Sequence, residues 1–341
     1  MIPPSISQNL KSKIGKSDYF DQEILQIIHQ QKWLQIWVPK KYNGLDYSLI
    51  HGLKLLQQLA EIDGSLGWFV TLCSGANFFS RNLKENVAKE VFFTLNVCLG
   101  GSGMITGTAT KTDDNYLING TWHYATGAPE LTHITLNAQL IENGTPLINS
   151  DGSPVFKSFL LEASQVHFIN NWNSMGMMDT ASDSFEVRNQ LVSEERSFSY
   201  DKFYTNGVLD QIPFEIFADL TLLVNYLGMA KHYAELSLKS INLPIQQELL
   251  SYIQEKTKEV YNFASDTEKI LTNNANFSST FKQKVHHSGE EIIEKLSEFI
   301  IKIYPYIGIK ACKVDEEINR VFRDYFTATQ HKNFRRPIPN S

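Results

Sequence analysis

The sequence predicts an α+β chain in three parts: a helical first part, a β-rich middle and a closing four-helix bundle. Three observations predict it. Apolar residues recur at helical spacing up to about residue 96, short alternating runs between turn residues fill 97–207, and helical spacing returns from Pro213 onward. The expected parts are 1–96, 97–207 and 208–341.

In the first part, Ile24, Ile27, Ile28 and Leu34 mark one amphipathic face, and Leu53 to Ile62 and Val87 to Phe93 mark two more. Pro39-Lys40-Lys41-Tyr42-Asn43-Gly44-Leu45 is loop chemistry between them. In the middle part, Tyr116 to Trp122, His133 to Ala138 and Ser158 to Leu161 alternate apolar and polar residues. Asp114-Asn115, Asn119-Gly120, Asn143-Gly144 and Asp151-Gly152 separate such runs as turns, so an antiparallel sheet or small barrel is expected. In the last part Leu220, Leu223, Leu227, Ala230 and Ala234 share a face. Further helical patterns near 245–272, 281–303 and 308–330 complete an antiparallel bundle.

The 341 residues are 42% hydrophobic and 20% charged, enough for a sizeable core and too apolar for disorder. The net charge of −6 comes with no basic stripe, which argues against nucleic acid as a partner. Apolar runs stop short of the roughly 20 residues that span a bilayer. Met1-Ile2-Pro3-Pro4-Ser5 is not a basic start leading into an apolar core, so the chain reads as cytoplasmic. Cys73, Cys98 and Cys312 lack CxxC spacing and read as small hydrophobes in a reducing compartment.

Two motifs invite readings that their spacing rejects. Gly101-Ser102-Gly103-Met104-Ile105-Thr106-Gly107 does not match G-x-G-x-x-G and precedes strands, so it reads as a glycine-rich crossing between parts. His287 and Glu291 share a helical face, but nothing near them supplies a third ligand, so no metal is expected.

Five stretches occur in an order that carries a resemblance. They are Trp37-Val38-Pro39 to Leu45; Leu59-Ala60-Glu61-Ile62-Asp63-Gly64-Ser65-Leu66-Gly67-Trp68; Thr106 to Lys111 with Tyr116 to Gly127; Met175-Gly176-Met177-Met178 to Phe185; and Phe322-Arg323-Asp324. Together they resemble the acyl-CoA dehydrogenase superfamily over nearly the whole chain. The resemblance implies that Tyr124 covers a flavin ring, that Thr126 and Gly127 meet its polar edge, and that Ser102 and Thr108 lie with them on the cofactor side. It implies Trp68, Met177 and Met178 as substrate contacts; Arg196, Arg320, Arg335 and Arg336 are by their own chemistry candidate phosphate contacts for a flavin tail or a CoA-like ligand, most of them read as surface charge.

The last helix separates two chemistries. The family's dehydrogenases often carry a Glu-Gly pair about eight residues after the R-D aspartate, and that count from Asp324 reaches Lys332. Arg323-Asp324-Tyr325-Phe326-Thr327-Ala328-Thr329-Gln330-His331 instead resembles the R-D-x-x-T-A-[ST]-x-H of the two-component, flavin-dependent monooxygenase branch. This implies His331 as the proton-moving residue, FAD or FMN as cofactor, a separate flavin reductase as partner, a small substrate of the phenol-like, aromatic kind, and a homo-oligomeric dimer or tetramer. Two alternatives stay open: an acyl-CoA dehydrogenase using Glu215 at the start of the bundle, and a non-catalytic member. The bundle carries no R-x-x-F-G motif, and Lys282 and Lys284 stand in the third bundle helix where a glycine-rich segment is expected. FAD, FMN and lost flavin binding are therefore all compatible with the sequence.

Overall fold

The structure, a computed structural model, describes residues 2–15 and 19–335. The first part contains α1 (Pro4–Lys13), α2 (Gln22–Gln30), α3 (Leu49–Ile62), α4 (Gly64–Asn77) and α5 (Glu85–Phe92). One residue separates α3 from α4. Asp63 is extended (φ −161°), its N–H closes α3 on Leu59 O, and its Oδ1 accepts from Leu66 N at 3.0 Å to start α4. The aspartate thus ends one helix and caps the next.

The sheet contains β1 (Leu99–Thr112), β2 (Asn115–Ala125), β3 (His133–Glu142), β4 (Thr145–Pro146), β5 (Phe156–Glu162), β6 (His167–Ile169), β7 (Asp183–Ser193) and β8 (Ser197–Phe198). Its order is β6-β7-β2-β1-β3-β5-β8, with β4 beside β3. The glycine-rich segment expected as a crossing lies inside β1. One pairing departs from the antiparallel pattern: β3 runs parallel to β1, because the chain passes from β2 to the far side of β1.

A feature of this sheet prepares the site. β1 and β2 pair from Thr112↔Asn115 to Gly107↔Gly120, yet β1 extends back to Leu99 and β2 on to Ala125. Beyond the two glycines the strands part, β1 staying with β3 and β2 with β7. Trp122 explains the parting. Its buried indole donates to Asn137 O at 2.9 Å and stacks on Phe185. A Cβ on Gly107 would lie 2.4 Å from that indole.

The bundle comprises α6 (Phe214–Leu238), α7 (Pro244–Thr272), α8 (Ser279–Ile303) and α9 (Glu317–Ala328). The last helix starts later than its apolar spacing suggests. Pro305 and Gly308 (φ +76°) break the chain into 3-10 turns at Tyr304–Tyr306 and Gly308–Ala311. α6 is the central helix, buried on most sides and packed on α3, α4, α7, α8 and α9. At Gly228 it comes so close to α3 that a Cβ would sit 2.7 Å from that of Ala60. A continuous core therefore joins the first part to the bundle. Among the described residues no helix is long and apolar enough to cross a membrane.

Candidate active site

α4 organises the site because its successive turns face different partners. Ser65 lies 3.9 Å from the sulfur of Met177, Phe69 faces Gly127, and Cys73 donates to Thr126 O at 3.6 Å. Trp68 meets His331 edge to face at 5.4 Å and Tyr226 at 6.1 Å. Gly127 is left-handed (φ +79°), and a Cβ there would lie 2.4 Å from Phe69. No other residue fits that point without moving α4 or β2.

The loop from Met175 to Ser182 is fixed to the last helix by Arg323 and Asp324. The Arg323 guanidinium donates to Met175 O at 2.7 Å, and Asp324 Oδ1 accepts from Met177 N at 2.5 Å. Gly176 permits the approach, since its Cβ would lie 2.3 Å from the Arg323 carbonyl carbon. Burial and the neighbouring Asp63 carboxylate push the Asp324 carboxyl well above its ordinary range, against the stabilising Met177 N–H. Asp324 therefore keeps its proton at neutral pH.

A line of hydroxyls leads from this loop to β2. Thr180 Oγ1 donates to Met177 O at 2.7 Å, which commits its proton. Ser182 must then donate to Thr180 at 2.8 Å, and Thr126 must donate to Ser182 at 3.0 Å. Thr126 is left with lone pairs alone for any further partner. Gly127 N is likewise engaged, donating to Thr180 O at 2.7 Å. Trp172 Nε1 donates to Met177 O at 2.9 Å, and its ring meets Tyr124 at 6.4 Å.

His331 follows α9 in a short turn, its N–H donating to Ala328 O at 2.9 Å. The same carbonyl accepts from the Tyr226 hydroxyl at 2.6 Å. Burial lowers the His331 pKa to about 4, so the imidazole is neutral near pH 7.

The structure brings some expected residues together and separates others. Trp68, Met177 and His331 line one region around α4; Thr126 and Gly127 join it from β2. Tyr124 and Met178 are exposed at its rim, 66% and 40%. Ser102 lies on the parted stretch of β1, where its hydroxyl accepts from Met104 N at 3.4 Å and Gly103 faces open space. Thr108 sits instead in the paired stretch, opposite Asn119 and Gln139. Glu215 is exposed and ion-paired with Lys282 at 2.7 Å. Arg196 is held by Glu90 and Glu162, and Arg320 lies 3.3 Å from Asp63. Arg335 is exposed, and Arg336 falls outside the described residues. His287 pairs with Glu290 and Glu291, and no group of three metal-ligating side chains occurs among the described residues.

No protein-family model matches the chain. It is 22% identical over 182 residues to the indole-3-acetate monooxygenase of Acinetobacter baumannii, covering 53% of this chain and 45% of that protein. It is 20% identical to the dibenzothiophene monooxygenase of Rhodococcus qingshengii, over 84% and 72% of the two chains. The chain thus spans less than half the length of the first of these relatives. Among solved structures, the HsaA monooxygenase of M. tuberculosis superposes with a TM-score of 0.88 over 97% of this chain and 92% of that one, at 16% identity. The fold is acyl-CoA dehydrogenase-like. XiaF from Streptomyces, in complex with FADH2 and glycerol, gives a TM-score of 0.86 over 97% and 89% at 17% identity. TdsC from Paenibacillus, with FMN and indole, gives 0.79 over 96% and 92%, also at 17%.

Several residues had no role in the sequence reading, Thr180 and Ser182 standing there only within the stretch from Met175 to Phe185. Trp172, Thr180 and Ser182 orient the loop. Asp219, 3% exposed on α6, lies 3.1 Å from His286 and accepts from Asn333 Nδ2 at 2.9 Å, two residues beyond His331. Asn333 stands close to His331 in sequence, which was the available signal. Asp219 and His286 lie 114 and 47 positions from Asn333 along the chain (333 − 219 and 333 − 286), and no local pattern links them.

Proposed function

We propose that this chain is the oxygenase component of a two-component flavin-dependent monooxygenase acting on a small aromatic substrate. The observation that carries the reading is His331, a desolvated neutral imidazole set against Trp68 at the end of the R-D helix. Such a group can take a proton from a phenol- or indole-like substrate and return it. The exposure of Glu215 and its ion pair with Lys282 disfavour the dehydrogenase alternative.

The residues fit a flavin. The parted ends of β1 and β2 leave an open place beside Gly103 and Ser102, with Tyr124 exposed to cover a planar ring. Thr126 offers lone pairs, which suit the N–H that the central ring carries when reduced. A bound reduced flavin supplies the electrons that split oxygen, one atom entering the substrate and the other leaving as water. Trp68, Met177 and Met178 hold the substrate and exclude water, and His331 moves its proton. The low basicity of His331 suits transient carriage of that proton.

Reduced flavin comes from a separate reductase, a division of labour supported by the HsaA relative of M. tuberculosis being the oxygenase subunit of a flavin-dependent monooxygenase. The relatives' complexes with FADH2 and with FMN support either flavin here. The reading includes a cytoplasmic dimer or tetramer built on 1–96, 97–207 and 208–341. Anaerobic titration with FAD and FMN, oxidised and reduced, tests it by fluorescence and thermal shift. Reduced flavin should bind tightly, and oxygen with indole should then give an oxygenated product. Uptake of neither flavin in either state would sink the proposal. Bleaching of bound FAD by an acyl-CoA, lost in Glu215→Gln, would put the dehydrogenase first.

A further inference from the structure

His331 lies beyond the last helix, in a segment whose position depends on what anchors it. After Ala328 the chain turns back between α6 and α8. Asn333 Nδ2 donates to Asp219 Oδ1 at 2.9 Å, and Asp219 Oδ2 lies 3.1 Å from His286 Nδ1 on α8. Phe334, 5% exposed, occupies the notch at Gly289, where a Cβ would lie 2.5 Å from its ring. That ring stacks on His286 at 5.4 Å and meets Tyr226 at 6.2 Å. Asn333 N points back at His331 Nδ1 from 3.4 Å.

We propose that Asp219 is a positioning residue for His331: by holding Asn333 and His286 together it clamps the segment 331–334 across α6 and α8 and so fixes the imidazole against Trp68. The proposal rests on the proton-moving role of His331 for its functional consequence, but its structural content does not. A buried carboxylate with two partners from two other elements is costly to place, and removing it breaks the contacts that tie half-buried Asn333 to α6 and α6 to His286. Phe334 alone leaves rotation about the segment open, because apolar contact has no direction.

The test compares wild type, Asp219→Ala, Asp219→Asn and Asn333→Ala in the full chain. Histidine labelled at Cε1 is followed by NMR, with His331→Ala identifying the signal. In wild type the His331 signal should be displaced by the Trp68 ring and should not titrate near pH 6.5. In Asp219→Ala and Asn333→Ala it should move to the position of an exposed histidine and titrate near 6.5. Asp219→Asn, which keeps an oxygen for Asn333 Nδ2, should hold the wild-type signal. Turnover of indole with reduced flavin should fall about tenfold in kcat at similar KM in the two alanine variants and recover in Asp219→Asn. An unmoved His331 signal in both alanine variants overturns the proposal; if Asp219→Ala fails to fold, Asn333→Ala alone decides. If the signal moves but His331→Ala keeps full turnover, the clamp stands and the assigned role of His331 falls.

Discussion

At the residue scale the site depends on which proton each group holds. The Met177 carbonyl can only accept, so it orders the three hydroxyls of Thr180, Ser182 and Thr126 and leaves Thr126 an acceptor. Ser182→Ala should free the Thr126 proton and lower the preference for reduced over oxidised flavin by about tenfold, the equivalent of one neutral hydrogen bond; competition between the two redox states in anaerobic titration measures it. His331 gives a pH prediction with a definite sign. Burial lowers its pKa to about 4 in the folded chain, so the unfolded chain binds the proton first. Stability from this group is complete above pH 6.5 and is lost as pH falls toward 4, by roughly 3 kcal/mol at most. Denaturant titration from pH 7 to 4.5 should therefore be flatter for His331→Asn than for wild type.

At the element scale, α4, α9 and the loop 175–182 act as one unit. Asp324 joins the last two and carries a proton beside Asp63, which caps α4. Asp324→Asn keeps an acceptor for Met177 N and needs no proton, so it should already exceed wild type in stability at pH 6. The gap should widen up to about pH 8 and then stay level: a folded pKa raised above the unfolded value is a contribution lost as pH rises from about 4, the unfolded value, to about 8, the folded one. Asp324→Ala orphans Met177 N and should cost about 2 kcal/mol. Thermal unfolding of the three proteins at pH 6 and pH 9 checks both statements.

At the scale of the whole molecule, the central helix α6 joins the first part to the bundle, so the site is built where distant parts of the chain meet. One end of the bundle leaves Ile301, Tyr306, Ile309 and Val314 from 55% to 75% exposed. Such apolar exposure supports the proposed assembly through the bundle. Ile309→Glu with Tyr306→Ser should shift the sedimentation of the protein toward the monomer without changing its melting temperature by more than a few degrees. A wild-type chain already monomeric at micromolar concentration would remove this expectation.

Much of the fold was legible because it rests on local rules. Helical spacing and turn residues depend on neighbours in sequence, and the ordered motifs fixed the acyl-CoA dehydrogenase-like arrangement. The reading went astray where a local signal met a distant partner. Gly101 to Gly107 looked like a crossing, but those glycines let a strand pass over Trp122 and beside β3. Around Gly308 the chain turns instead of coiling, so the last helix starts at Glu317 where apolar spacing alone put its start near 308. The site was legible in its chemical types and not in their states. The sequence by itself determined the three parts, the R-D helix and the presence of His331. Only the tertiary structure decided that His331 is neutral, that Thr126 is an acceptor, that Glu215 faces solvent and that Asp219 holds the final segment. Burial and hydrogen-bond direction set those states, and both are properties of residues brought together from far apart in the chain.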